Sequence, residues 1–267
     1  MVKSIGLIAG GGDLPLCFAR EANVKGLGVH VAAVRGSASK KIEQLSDSVQ
    51  WFSIGQLGSL IRFFKKKGVH QAVMHGKVRH SELFKNIKLD LKALSLWVKL
   101  KDRSGEGLLR ALAEELKKEG VLLKDCRFLM DDVLTPKGFA AGKLDSDSKT
   151  TISLGFKKAK ILARVGIGQT LVLKKNAVVA VEAMEGTNET IQRAGQLAGP
   201  GISIVKVSSP RQDWRFDVPT VGLETIQELI RVKAKGIVLE SGRSFLLQKE
   251  QSASLAKKYG FFIQTIS

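Results

Sequence analysis

The chain has 267 residues, 44% hydrophobic and 25% charged, which excludes a disordered or fibrous protein and leaves room for more than one core. Lys and Arg (43) exceed Asp and Glu (25) by 18, a balance that favours an anionic partner, whether nucleic acid, nucleotide or the negatively charged face of a membrane. The longest uncharged stretch, 48–61, is interrupted by Ser, Gln and Gly and falls short of the roughly 20 apolar residues of a spanning helix, while Cys17 and Cys126 are too few for a disulfide framework.

The first segment alternates short apolar runs with amphipathic ones, the pattern of a parallel sheet with crossover helices. Strands are expected at Ile5–Ala9, Val29–Val34, Val49–Ile54 and Gln71–Met74. Helices are expected at Pro15–Lys25 and Gln56–Lys67, each followed by a glycine. Two further helical patterns follow, about Leu83–Leu100 and Gly105–Glu119, then a strand within Val121–Met130. The opening strand lacks the order of a signal peptide, so a cytoplasmic chain is expected.

Residues 132–149, with Pro136, Gly138, Gly142 and a polar run, show no periodicity and read as a linker between domains 1–131 and 150–267. The pattern restarts with a helix near Thr151–Val165 carrying Ile152, Phe156, Ala159 and Ala163 on one stripe. A hairpin of Thr170–Leu173 and Val178–Ala183, a helix from Thr187, a strand Ile202–Val207 and a helix to about Lys235 follow. A hairpin around Glu240–Arg243, a last helix and a strand Phe261–Ile266 complete the second α/β domain.

Gly10-Gly11-Gly12 joins a strand to a helix, where glycines let a backbone approach a phosphate. Pro15 stands where a dinucleotide fingerprint needs Gly or Ala, and the second strand ends at Arg35 rather than at a ribose-binding carboxylate. An NADP site, a different phosphate site and a plain tight turn all remain open. Gly76-Lys77 leaves another strand at its carboxyl end, a position that suits a ligand or an ordinary solvated loop. The four histidines, His30, His70, His75 and His80, have no zinc-protease spacing.

Glu182-Ala-Met-Glu-Gly-Thr-Asn188 joins a strand to a helix, with Thr187 as the expected N-cap. Glu182 and Glu185 stand where carboxylates hold Mg²⁺, though capping alone is the alternative. About thirty residues later a second such loop carries Lys206, Arg211, Asp213, Arg215 and Asp217, together with two prolines. Two carboxylate-bearing loops on one small domain suggest one site.

Together, Ile5-Gly-Leu-Ile-Ala-Gly-Gly-Gly12 with Leu14-Pro15, Val181-Glu-Ala-Met-Glu-Gly-Thr187 and Arg215-Phe-Asp-Val-Pro-Thr-Val-Gly222 resemble the LpxI-type UDP-2,3-diacylglucosamine pyrophosphatases of lipid A biosynthesis. The likeness extends through Lys101–Leu109, Val165–Gln169 and Ala234–Gly242. It implies a Rossmann-like N-terminal domain, a linker and a C-terminal α/β domain, with substrate bound between them. It also implies a cytoplasmic enzyme peripheral to the inner membrane and dependent on Mg²⁺. The reaction implied is hydrolysis of the substrate's diphosphate to UMP and lipid X. A homodimer is expected.

On that resemblance Asp217 falls on the catalytic aspartate, with Glu185 as the second catalytic and metal-binding candidate. Gly10, Gly11, Gly12, Gly76, Lys77, Gln169, Thr187, Asn188, Lys206, Gln212, Arg215 and Thr220 are expected to bind substrate. Asn188 departs from the family pattern, which carries Asp there. A nucleic-acid-binding protein is the alternative from charge, but 6% aromatic residues without basic–aromatic interleaving argue against it.

Overall fold

The computed structural model describes residues 3–78, 89–102 and 104–267. It divides into two compact units, Met1–Met130 with Trp214–Asp217, and Asp131–Asp213 with Val218–Ser267. Arg79, His80 and the start of the helix expected from Leu83 lie outside the described residues.

In the first unit, β1 (Ser4–Ala9), β2 (Gly28–Val34), β3 (Ser48–Phe52), β4 (Gln71–His75) and the short β5 (Leu122–Leu123) form a sheet of order β3-β2-β1-β4-β5. Every pairing is parallel, the Rossmann-like arrangement expected. Helices α1 (Leu14–Val24), α2 (Leu57–Lys66), α3 (Leu91–Lys99) and α4 (Gly105–Lys118) accompany it. β1 is buried from Ile5 to Ala9 because helices covering both faces leave no polar side to alternate. The Val121–Met130 strand shrinks to two residues, since turns of the 125–128 and 127–130 type take the backbone away from β4.

In the second unit, β6 (Ala140–Ala141), β7 (Thr170–Lys174), β8 (Ala177–Val181), β9 (Ser203–Lys206), β11 (Gly236–Glu240) and β13 (Phe262–Ile266) form a mixed sheet of order β6-β13-β11-β9-β7-β8. β10 (Thr220–Val221) and β12 (Phe245–Leu246) pair separately. The helices are α5 (Ser146–Arg164), α6 (Thr187–Ala198), α7 (Leu223–Arg231) and α8 (Lys249–Tyr259). Ile152, Ala159 and Ala163 of α5 pack with Leu171, Val205 and Val238 on one face of this sheet, and Ile191, Ile226 and Leu229 pack with Ile204 and Ile237 on the other.

Two expectations are corrected here. The stretch 132–149 is not a free connection. Ala140–Ala141 pairs antiparallel with β13, Thr135 Oγ1 donates to the Glu240 and Ser244 carbonyls at 3.0 Å, and α5 begins at Ser146 under an Asp145 cap. Nor does a hairpin form around Glu240–Arg243. β11 already has parallel partners on both sides, β9 and β13, so Phe245–Leu246 pairs with β10 instead. In the 170–181 hairpin, which does form, β8 is shorter than expected.

Candidate functional site

β8, β9 and β11 run in one direction and β7 against them, so three strand ends and the start of β7 share one edge of the second sheet. That edge brings together Thr170 at the start of β7, Glu182 just past β8, Lys206 closing β9 and Glu240 closing β11. Lys206 is buried, and its ammonium donates to Thr187 Oγ1 at 2.7 Å and to Thr170 Oγ1 at 3.3 Å. Thr187 Oγ1 in turn donates to Glu182 Oε1 at 2.8 Å, while Glu182 Oε2 lies 4.0 Å from the ammonium. The threonine hydroxyl thus relays between the two charges. Burial of Glu182 works against its ionisation, but Lys206 and hydrogen bonds from Thr170, Thr187 and the Gln169 amide outweigh it, holding the carboxyl below the usual range.

Beside this cluster lies a second network. Lys160 of α5 donates to Glu240 Oε1 at 2.9 Å and to the Ser208 carbonyl at 2.9 Å. Glu240 Oε2 accepts from both the Ser208 amide and hydroxyl at 2.8 Å, and Arg243 Nη1 reaches Ser208 Oγ at 3.3 Å. Burial of Glu240 is again outweighed, here by Lys160 and Ser208, so its pKa lies below the ordinary value. Lys160, Ser208, Glu240 and Arg243 are absent from the sequence-derived candidates. The available signal was a carboxylate closing the apolar strand Gly236-Ile-Val-Leu-Glu240 at its carboxyl end.

Thr187 does not cap α6. Gly186 does, at φ +93, a backbone conformation that favours glycine, and the Thr187 hydroxyl is directed to Lys206 and Glu182 instead. Glu185 accepts from the Ala183 amide at 3.0 Å, Thr190 at 3.2 Å and Arg193 at 2.7 Å. Its own amide, then Arg193, lower its pKa to about 2. Asn188 Oδ1 accepts from Thr225 of α7 at 2.8 Å, so this amide ties two helices together. Gln169 donates to Gln212 Oε1 at 3.1 Å, an oxygen that also accepts from the Ser209 amide. Thr220 Oγ1 donates to the Val218 carbonyl at 2.8 Å.

In the first unit the glycines are explained by one another. The Gly10 amide donates to the His75 carbonyl and the Gly11 amide to the Lys77 carbonyl, each at 2.8 Å, and Lys77 N returns a bond to Gly11 at 3.0 Å. A Cβ at Gly10 would lie 2.8 Å from the Lys77 carbonyl oxygen, and one at Gly76 would lie 2.6 Å from that of Gly11. Close crossing of two loops therefore requires these glycines, and two of the three amides are spent on it. Gly12, at φ +90 with open space around its Cα, is the exposed member. Asp13 at the N-cap of α1 adds a carboxylate where a phosphate would sit. Both features disfavour a dinucleotide there.

The loop read as part of the second domain crosses back. Trp214–Asp217 belongs to the first unit, where the Cys126 amide donates to the Trp214 carbonyl at 2.7 Å and Cys126 Sγ to that of Arg215 at 3.2 Å. The Arg127 guanidinium lies 4.1 Å from the Trp214 ring centre, Phe216 packs against the first unit's core, and Arg215 Nη1 is 3.8 Å from Glu114. Exposed Asp217 ends this segment. Asp217 and Arg215 are thus carried by one unit and Glu182, Glu185 and Lys206 by the other. The two carboxylate loops do not form a single-domain site.

Two α/β units, one with a Rossmann-like parallel sheet and one with a buried ammonium–carboxylate edge, define a two-unit α/β protein. The chain belongs to the LpxI family: residues 4–133 match its N-terminal domain and 136–264 its C-terminal domain. It is 28% identical, over 98% of its length and 97% of the relative's, to the UDP-2,3-diacylglucosamine pyrophosphatase LpxI of Caulobacter vibrioides. Among solved structures, the biotin carboxylase domain of Hydrogenobacter thermophilus 2-oxoglutarate carboxylase matches at 9% identity and TM-score 0.31, covering 74% of this chain and 42% of that one. Glycinamide-RNase-transformylase T from Mycobacterium tuberculosis matches at 13% and 0.28, covering 67% and 44%. The chain spans less than half of either structure, and likeness at this level carries no argument about function.

Proposed function

We propose that the protein hydrolyses the diphosphate of UDP-2,3-diacylglucosamine to UMP and 2,3-diacylglucosamine 1-phosphate (lipid X), a step of lipid A biosynthesis. The observation that carries this reading is the end-to-end match to the Caulobacter enzyme, which spans both units. The chemistry of the residues supports it. Attack of water on a diphosphate places negative charge on the phosphoryl oxygens, so preorganised cations lower the barrier. Arg215, two residues before Asp217 in the same segment, supplies such a cation. Asp217 orients the attacking water and accepts its proton.

Magnesium enters this reading through the substrate as much as through the chain. Among the described residues no group of three or more His, Cys, Asp or Glu side chains is placed to hold a metal ion, and Glu185 is taken up by Arg193. In this reading Asp217, on which the catalytic aspartate of the family resemblance falls, is the chain's donor. That set fits magnesium, which commonly takes one or two carboxylates and completes its shell with waters and substrate phosphates. Bound there it would neutralise the diphosphate charge.

Incubation of purified protein with UDP-2,3-diacylglucosamine, followed by chromatography, is expected to show UMP and lipid X in equal amounts. Excess EDTA should abolish release and added Mg²⁺ restore it. Absence of UMP overturns the proposal; full activity in EDTA removes the metal from it.

A further inference from the structure

β5 ends where its next amide turns to another partner. The Leu122 and Lys124 amides donate to the His70 and Ala72 carbonyls at 2.9 and 2.8 Å, a parallel ladder advancing in steps of two. One step further would join the Cys126 amide to the Met74 carbonyl. That amide donates instead to the Trp214 carbonyl at 2.7 Å, and the Cys126 thiol takes the vacated place, with Sγ 2.9 Å from the Met74 oxygen and 3.2 Å from that of Arg215. Cys126 is buried, where a donor removed from its acceptors is costly. One residue thus ties the end of β4 to two successive residues of the 214–217 segment.

The neighbouring residue holds the same segment by its side chain. Arg127 Nε donates to both Asp125 oxygens at 3.1 Å and Nη2 donates to Oδ2 at 2.6 Å, which fixes the guanidinium plane 4.1 Å from the Trp214 ring centre. Phe216 adds an apolar contact with the first unit's core, and exposed Asp217 follows directly. Packing around an exposed carboxylate does little to locate it. Its position follows from the backbone of the three residues before it, and residues 125–127 hold two of those three. A misplacement of about 1 Å at a reacting group costs on the order of 100-fold in rate.

We propose that Cys126 and Arg127 are positioning residues for the hydrolysis, a clamp that sets Asp217 through the backbone of Trp214–Phe216. The inference rests on the role given to Asp217 above. Cys126→Ala and Arg127→Ala are each expected to lower kcat for UMP release about 10- to 100-fold, with KM changed by less than about twofold. Cys126→Ser keeps a donor and should recover most of its loss; Arg127→Lys keeps the charge without the planar fork and should recover little. In an Asp217→Ala background, Arg127→Ala should cost nothing further, because the clamp acts only through that carboxylate. The clamp is also read without substrate, in full-length Trp51→Phe, Trp97→Phe protein, whose one remaining tryptophan is Trp214. There Arg127→Ala should shift the emission to the red and raise its quenching by acrylamide. An unchanged Trp214 signal overturns the proposal, as does either alanine variant at wild-type kcat. A raised KM at unchanged kcat, or a further loss in the Asp217→Ala background, overturns it too, since Arg127 would then act on substrate directly. Asp217→Ala at wild-type kcat overturns the underlying reading instead, and is told apart by a clamp still seen in the fluorescence.

Discussion

Asp217→Ala removes an exposed carboxylate at the end of a segment anchored by Cys126 and Phe216, so the fold should survive it. We expect kcat to fall on the order of 10³-fold, about 4 kcal/mol, with KM little changed. Asp213→Ala, outside that segment, should stay within a few-fold of wild type. Steady-state kinetics on the two variants decides it, and an Asp217→Ala enzyme within about tenfold of wild type in kcat would move the role elsewhere. At another single residue, buried His75 packs on Phe18 with both ring nitrogens unpartnered, and burial lowers its pKa to about 3. The neutral ring is therefore favoured in the fold while the unfolded chain takes up a proton below about pH 6.5, so stability is lost as pH falls from there toward 3. The slope is at most about 1.4 kcal/mol per pH unit. His75→Phe should flatten that acid arm in thermal melts.

At the level of elements, the edge formed by β7, β8, β9 and β11 concentrates charge that the sheet alone could not bury. Lys206→Met leaves Glu182 buried without its ammonium and is expected to cost about 3 kcal/mol; adding Glu182→Gln should recover most of it. Denaturant melts of the single and double variants measure this coupling. Glu182 and Glu240 both titrate below the ordinary glutamate value, so their contribution is present above about pH 4.3 and lost as pH falls through their lowered values. This window opens below the onset for His75 and overlaps its lower part, so the acid arm that persists in His75→Phe reports the two glutamates.

Across the whole molecule, the chain leaves the second unit at Asp213, contributes four residues to the first, and returns at Val218. Phe216, although late in the sequence, is half-buried against the first unit's core, to which β4, α2 and α4 contribute. Phe216→Ala should destabilise the first unit by about 2 kcal/mol. Hydrogen exchange is expected to show lost protection in 71–75 and 121–126 and unchanged protection in 203–206. The opposite pattern would mean that the segment does not support the first unit.

The periodicity of the first segment was enough to predict its parallel sheet, because strands buried on both faces read as unbroken apolar runs and their helices as stripes. The family likewise could be read from three short motifs. Other features were decided only in three dimensions. Residues 132–149 join a sheet edge through backbone hydrogen bonds, which leave no pattern in side chains. The fate of Phe245–Leu246 depended on β11 having both neighbours already. The glycines at 10, 11 and 76 serve a loop crossing that neither loop announces by itself. Lys160, Ser208 and Glu240 lie between 32 and 80 residues apart, and only the sheet's strand order brings their charges to one edge.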